Sequence, residues 1–203
     1  MHMKISAAIL AGGPASRLNG VIKPEILLDG KTVLERSLSV LKNIFSEIIL
    51  VTNSPEIFSE YEELLITSDH FKGIGPLAGI HAALKAASGD AVFVFAGDMP
   101  LLNKDLIVKQ AGLFDEMECE ILVPGTGSAI EPLHSIYSRK LLTRLEDYLS
   151  TSESRAVRDF FMSVSVKFME TGSEVNGGFF NINSPADIIE AERILKAGMN
   201  KTL

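Results

Sequence analysis

Two glycines close an apolar run in the stretch ILAGGPASRLNGVIK, and two basic residues, Arg17 and Lys23, follow in the same loop. Gly12 and Gly13 come where a buried strand would open out. Glycine there allows torsions closed to other residues and lets main-chain N–H groups approach a ligand closely. Successive N–H groups of this kind cradle phosphate, and Arg17 and Lys23 add charge-assisted donors. A second chemical position is Asp98, directly after AVFVFAG. A carboxylate at the end of a buried strand needs a partner to offset its desolvation. Mg²⁺ suits that position, because it takes one or two carboxylates and fills its other sites with phosphate oxygens and water. A phosphate cradle and a metal carboxylate on one sheet edge fit chemistry at a nucleoside triphosphate. The plain alternatives are a glycine turn with two solvated cations and an Asx turn helped by Pro100.

The elements that must position these residues are legible as continuous apolar runs: Ile5–Leu10, Glu47–Thr52, Ala91–Ala96 and Glu120–Pro124. Runs without alternation predict strands buried on both faces. Helical spacing predicts helices over Thr32–Asn43, Leu77–Ser88, Lys104–Phe114, Leu141–Leu149 and Asp187–Lys196, the last started by Ser184-Pro185. The alternation predicts an α/β fold: a doubly wound, mostly parallel sheet with helices on both faces, in one domain spanning residues 1–203. Ligands of such sheets sit beyond the carboxyl ends of the strands. The residues there are Ala11-Gly12-Gly13, Asn53, Asp98-Met99-Pro100 and Gly125-Thr126-Gly127. Neither GxxxxGK[ST] nor GxGxxG occurs, and the second strand ends in Asn53 rather than an acid. A P-loop NTPase is thereby excluded, and a dinucleotide-dependent oxidoreductase is disfavoured.

Composition narrows the classes further. The 203 residues carry a net charge of −7, which speaks against a nucleic-acid partner. A single cysteine, Cys119, excludes an internal disulfide and cysteine-based metal spacing. No run reaches membrane-span length and no signal-like segment opens the sequence, so the expected location is cytoplasmic, with no membrane partner. The four histidines lack metal-ligand spacing. His81 reads as surface or packing, His134 as a satisfied core histidine, and His70 as a neighbour of Asp69. Phe179-Phe180 reads as core.

Six segments occurring in order resemble a known family. LAGGPASRLNGVIK is similar to an LAGG-x3-R-[ML]-x-G-x2-K signature, GIGPLAGI to a G-x-GPLAGI segment, and AGDMPLL to a metal-binding D-[MT]-P. EPLHSIYS, RAVRDFF and FFNINSPAD resemble later segments. The family is that of the MobA-type nucleotidyltransferases that make the molybdenum cofactor, and within it the guanylyltransferases. The resemblance implies transfer of GMP from GTP to the phosphate of molybdenum-bearing molybdopterin, with pyrophosphate released. It implies that Leu10, Ala11, Gly12 and Gly13 contact GTP and Lys23 its phosphates. Asn53 and Asp69 would hold the nucleoside, and Asp98 would bind Mg²⁺ and GTP. Asn181 and Asn183 would face the molybdopterin acceptor. Gly75, Pro76 and Leu77 would bind GTP, and the backbone of Gly75–Gly79 with Asp69 would read the base, although taken alone that segment is a plain helix entry with Pro76 in the first turn. Lys23, Asp98 and Arg17 would be the catalytic groups. Partner proteins that deliver the cofactor or accept it are implied as well. One departure stands out: the family often carries Asp before the loop lysine, where this sequence has Ile22.

As a loop cation, Lys23 is expected to matter more for triphosphate use than for stability. Other readings stay open on the residues alone: a cytidylyltransferase of the same pathway, another small-metabolite nucleotidyltransferase, and a nucleotide-binding protein without turnover.

Overall fold

The computed structural model describes residues 3–12, 17–18, 20–126, 129–172 and 177–199. Gly13 and Gly127 lie outside them.

The chain alternates strands and helices. β1 (Ile5–Leu10) is followed by two small hairpins, β2 (Arg17–Leu18) with β3 (Val21–Ile22) and β4 (Leu27–Leu28) with β5 (Lys31–Thr32). Then come α1 (Val33–Leu41), β6 (Ile48–Val51), β7 (Leu65–Thr67), α2 (Pro76–Ala86), β8 (Ala91–Ala96) and α3 (Lys104–Glu116). The C-terminal part contains β9 (Ile121–Thr126), β10 (Ala129–Ile130), β11 (His134–Ser138), α4 (Leu142–Thr151), α5 (Val157–Phe161), β12 (Val166–Glu170) and α6 (Pro185–Met199). None of the described helices is long and apolar enough to cross a membrane.

One sheet of eight strands runs β10-β9-β11-β8-β1-β6-β7, with β12 paired to β9. The pairs β1–β6, β1–β8, β6–β7 and β9–β12 are parallel. β11 enters antiparallel to both β8 and β9, so the mostly parallel sheet is mixed in its C-terminal part. The sequence did not announce β11 because its buried residues include His134, Ser135 and Ser138. These polar groups are accommodated locally: Ser135 Oγ donates to the Glu131 carbonyl (2.7 Å), and Ser138 Oγ accepts from the Lys140 N–H (3.3 Å).

Strand residues alternate between two core layers. Ala7, Ile9, Phe93 and Phe95 face one layer with Leu34, Leu38 and Leu41 of α1 and Leu106, Ile107 and Phe114 of α3. Ala8, Val92 and Val94 face the other with Leu77 and Ile80 of α2, Leu145 and Leu149 of α4, and Phe160 of α5. Helices therefore cover both faces, and strands buried on both faces need no polar side. Ile22 belongs to the first layer, 6% exposed. An apolar residue before Lys23 thus has a structural reason: it pins the loop to the core. α1 starts in a capping box, in which Thr32 Oγ1 accepts from the Glu35 N–H (3.0 Å) and Glu35 Oε2 accepts from the Thr32 N–H (2.7 Å). α6 and the segment before it close a third, smaller cluster through Ile182 and Ala191, packed with Ile26, Leu28 and Val33.

Candidate active site

The carboxyl ends of β8, β1, β6 and β7 lie side by side, and each is followed by a polar or glycine residue. In sheet order these are Asp98, Gly12, Asn53 and Asp69. Three strand spacings of ~4.8 Å separate the first from the last, about 14 Å in all. All four line one cavity of about 520 Å³, a size typical of small-molecule sites.

At one end of this row Lys23 is locked in place. It opens a 3₁₀ turn (Lys23–Glu25) just after β3, with Pro24 in the first turn. Flanked by buried Ile22 and Pro24, its side chain is drawn inward and only 4% of the residue is exposed. Its Nζ donates to Asp98 Oδ2 (2.8 Å) and to Asn183 Oδ1 (2.7 Å). The Ile182 N–H donates to the Asp98 carbonyl (3.0 Å), so the segment carrying Asn183 is tied to the Asp98 turn by main chain as well. Asp187 fixes the other side of that segment, accepting from the N–H groups of Asn183 (2.8 Å) and Ser184 (2.7 Å). Those donors hold the Asp187 carboxyl below the ordinary carboxylate range. The picture of Lys23 as a mobile loop cation is therefore corrected: it is a buried, doubly bonded ammonium, and its removal strips a partner from Asp98.

Asp98 keeps one oxygen free for a ligand. Its side chain is 18% exposed, and Oδ1 is buried without a hydrogen-bond partner. An orphaned carboxylate oxygen facing a cavity suits a cation. Among the described residues no group of three or more His, Cys, Asp or Glu could hold a metal unaided, so a metal here would need substrate phosphates as further ligands.

At the other end Asn53 and Asp69 bond each other reciprocally. Asn53 Nδ2 donates to Asp69 Oδ2 (2.9 Å), and the Asp69 N–H donates to Asn53 Oδ1 (3.3 Å). Asp69 Oδ1 is likewise buried and without a partner. The neighbouring Gly73 and Gly75 have φ of 75° and 85°, the region that glycine alone enters without strain. Gly75 is the residue before α2 and Pro76 its first, and both line the cavity. Gly79 lines it too, where an added Cβ would stand 3.2 Å from the Leu10 side chain.

Not every anticipated residue reaches the cavity. Gly12 does, but it has no positive φ, and a Cβ built on it would meet Asn53 and Asp69 only at ordinary contact distances of 3.5 and 3.6 Å. Among the described residues nothing demands glycine there. Leu10 lines the cavity, whereas Ala11 and Leu77 are buried in the packing behind it. Arg17 is exposed, donates to the Gly20 carbonyl (3.2 Å) and does not line the cavity. Arg155, to which sequence reasoning assigned nothing, does line it. Its only signal was its place at the head of RAVRDFF. Asn183 meets Lys23, while Asn181 lines an adjoining cavity.

Two of the three described histidines are buried in the packing. His81 is 1% exposed and its Nε2 pairs with Glu146 Oε1 (2.9 Å). His70 is exposed and stands edge-on to the His81 ring. His134 is in the core but is not satisfied: neither ring nitrogen has a hydrogen-bond partner, and the ring packs edge-on against Phe93 and Phe179. Burial pushes its pKa down to about 4. Phe179 and Phe180 pack against the core clusters, as the sequence predicts.

A site with a base-sized glycine-edged end and a charged end, joined across four strand termini, can be compared with known proteins. The sequence profile of the MobA-like NTP transferase domain matches residues 7–166. A probable molybdenum cofactor guanylyltransferase of Peptoclostridium acidaminophilum is 34% identical over 201 residues, covering 93% of this chain and 89% of that protein. A molybdenum cofactor guanylyltransferase of Desulfosudis oleivorans is 30% identical over 198 residues, covering 96% and 97%. Among solved structures, the molybdopterin-guanine dinucleotide biosynthesis protein A of Archaeoglobus fulgidus superimposes with a TM-score of 0.81 at 27% identity, covering 95% of this chain and 99% of that one. The profile match spans most of the chain and relatives match nearly all of it, and the chain belongs to the MobA-like NTP transferase family.

Proposed function

We propose that this chain transfers GMP from GTP to the phosphate of molybdenum-bearing molybdopterin, forming the guanine dinucleotide cofactor and releasing pyrophosphate. The observation that carries the reading is the Lys23–Asp98 pair, braced by Asn183 and lining one cavity with the Asn53–Asp69 pair. The names of the relatives support guanine as the base and molybdopterin as the acceptor.

An acceptor phosphate oxygen attacks the α-phosphorus of GTP. The bond from that phosphorus to the bridging oxygen breaks, and pyrophosphate carries away the electron pair. No protein nucleophile is needed, so catalysis is positioning and charge stabilisation. Lys23 holds its ammonium beside Asp98 and stabilises charge on the leaving pyrophosphate. Arg155 supplies a second positive charge, a role for which it is better placed than Arg17. Mg²⁺, held by Asp98 Oδ1 and the substrate phosphates, would neutralise triphosphate charge when bound. Asp69 Oδ1 is an open acceptor for the N1–H and N2–H₂ donors of guanine. Main-chain N–H groups around Gly73–Gly75 are candidates for O6. Asn181 and Asn183 face the acceptor.

Calorimetry with GTP, ATP and CTP under equal Mg²⁺, together with pyrophosphate release in the presence of molybdopterin, tests the reading. The expected order is GTP tightest, with each mismatched base edge costing about 1–3 kcal/mol. Equal or tighter CTP binding would replace guanylyl by cytidylyl transfer, and binding without pyrophosphate release would remove the enzyme reading.

A further inference from the structure

A second cavity of about 340 Å³ adjoins the first and shares Pro76, Ala96 and Leu133 with it as walls. The segment that follows Phe180 joins the two: Asn181 lines the second cavity, and two residues later Asn183 bonds Lys23 in the first. With a nucleoside in the first cavity, the second is the space left for the body of an acceptor whose phosphate meets the triphosphate near Lys23.

Inside that cavity stands Glu131, for which the folded chain supplies no use. Its main chain is fixed. The Glu131 N–H donates to the Pro124 carbonyl (2.9 Å), and its carbonyl accepts from the His134 N–H (3.1 Å) and Ser135 Oγ (2.7 Å). Its carboxylate is half-buried, and no described side chain hydrogen-bonds to it. Arg158, also lining the cavity, acts on it through charge without forming an ion pair. Burial holds the Glu131 carboxyl above the ordinary carboxylate range, with Arg158 opposing. A partly buried carboxylate on a fixed main chain, lining a cavity without a donor of its own, is an acceptor available to a ligand. Apart from Arg158 and Asn181 the walls, including Met99, Pro132 and Val157, are apolar. A two-oxygen acceptor in a mostly apolar cavity, with Asn181 as a further polar wall, fits a flat heterocycle with two adjacent N–H donors. The 2-amino-4-oxo edge of a pterin presents such a pair, N3–H and the 2-amino group.

We propose that Glu131 reads the 2-amino-4-oxo edge of the acceptor's pterin in this second cavity, and so sets acceptor specificity. The inference rests on the reading that the acceptor is a pterin.

The test titrates the full chain, loaded with GTP, with two fluorescent probes: pterin itself and lumazine, which carries an oxo group in place of the 2-amino group. Wild type is expected to bind pterin about tenfold tighter than lumazine, the difference one charge-assisted hydrogen bond makes. Glu131→Gln is expected to lose that preference while keeping its GTP affinity within about twofold, which also verifies folding. With molybdopterin as substrate the variant should raise the acceptor KM with little change in kcat. Wild type that binds neither probe, or both equally, overturns the assignment, as does a variant that keeps the preference or the wild-type acceptor KM. A chain whose Glu131-dependent pterin preference is intact but which transfers no GMP to molybdopterin would remove the proposed reaction and leave this site standing.

Discussion

Replacing Lys23 with methionine keeps most of the aliphatic stem and deletes the ammonium. In the native fold that ammonium is bonded to Asp98 at 2.8 Å and to Asn183 at 2.7 Å, on a residue only 4% exposed. Its loss leaves Asp98 with both oxygens unpartnered, since Oδ1 already lacks a partner. Breaking a buried pair from one side costs about 3–5 kcal/mol. The Asp98 side chain is 18% exposed and draws some solvation back, which puts the expected loss near the lower figure, about 3 kcal/mol. The molecule provides its own control. Lys42 and Glu63 form an ion pair of similar length, 2.7 Å, but their side chains are 49% and 48% exposed. Lys42→Met should therefore cost under about 1 kcal/mol. Urea unfolding of the two variants separates burial from distance. In a double-mutant cycle with Asp98→Asn, the Lys23 effect should shrink by about 1–3 kcal/mol, because the charge left behind is gone. A Lys23→Met loss no larger than that of Lys42→Met would refute the claim that Lys23 is a structural as well as a chemical residue.

Three further outcomes are expected. Asp98→Asn retains an acceptor for Lys23 but removes the negative charge; transfer at saturating Mg²⁺ should fall by at least about 10² while the variant still melts cooperatively, and wild-type turnover would end the role proposed for Asp98. His134 stays neutral down to about pH 4 in the fold, whereas its ordinary value is 6.5. Between those values the unfolded chain binds a proton that the folded chain does not, so stability falls as pH drops through that window, by up to about 3 kcal/mol at 1.36 kcal/mol per unit. His134→Leu should flatten that part of the pH profile; urea midpoints at pH 7 and 4.5 that fall in parallel for both proteins would contradict it. Gly75→Ala forces a Cβ onto φ 85°, ψ −152°, at a strain of about 1–3 kcal/mol, and should weaken GTP binding by shifting the start of α2; an unchanged GTP dissociation constant would detach Gly75 from base reading.

The parallel half of the fold was readable because strands buried on both faces leave uninterrupted apolar runs, as Ile5–Leu10 and Ala91–Ala96 do. The C-terminal part of the sheet, beyond β9, was not. β11 buries a histidine and two serines, and β12 exposes Phe168 and Lys167, so neither carries the expected pattern. Asp98 and Asn53 were found by their position after strands, a rule of topology rather than of motif. The burial of Lys23 was invisible, since it depends on Asn183 arriving from 160 residues away. Arg155 and Glu131 were missed for a similar reason. Arg155 follows no strand and Glu131 follows only the two-residue β10, too short to read, so each becomes chemical only where its cavity closes around it. Along the described cavity wall positive φ occurs at Gly73 and Gly75 and not at Gly12, while Gly13 lies outside the described residues.

The insertion of β11 between β8 and β9 bears on how the chain is made. β8 has β1 on one edge and β11 on the other. As the polypeptide leaves the ribosome, β1 is already available, but the partner for the second edge is the last strand of that neighbourhood to appear. From Ala96 to Ser138 is roughly forty residues, a few seconds of synthesis at ~5–20 residues per second. For that interval AVFVFA presents an open row of main-chain donors and acceptors, in a six-residue segment without charge, proline or glycine. That composition favours cross-chain strand pairing. Nascent chains stalled or truncated before Ser138 should therefore associate through β8, and the same segment becomes inert once β11 is laid beside it.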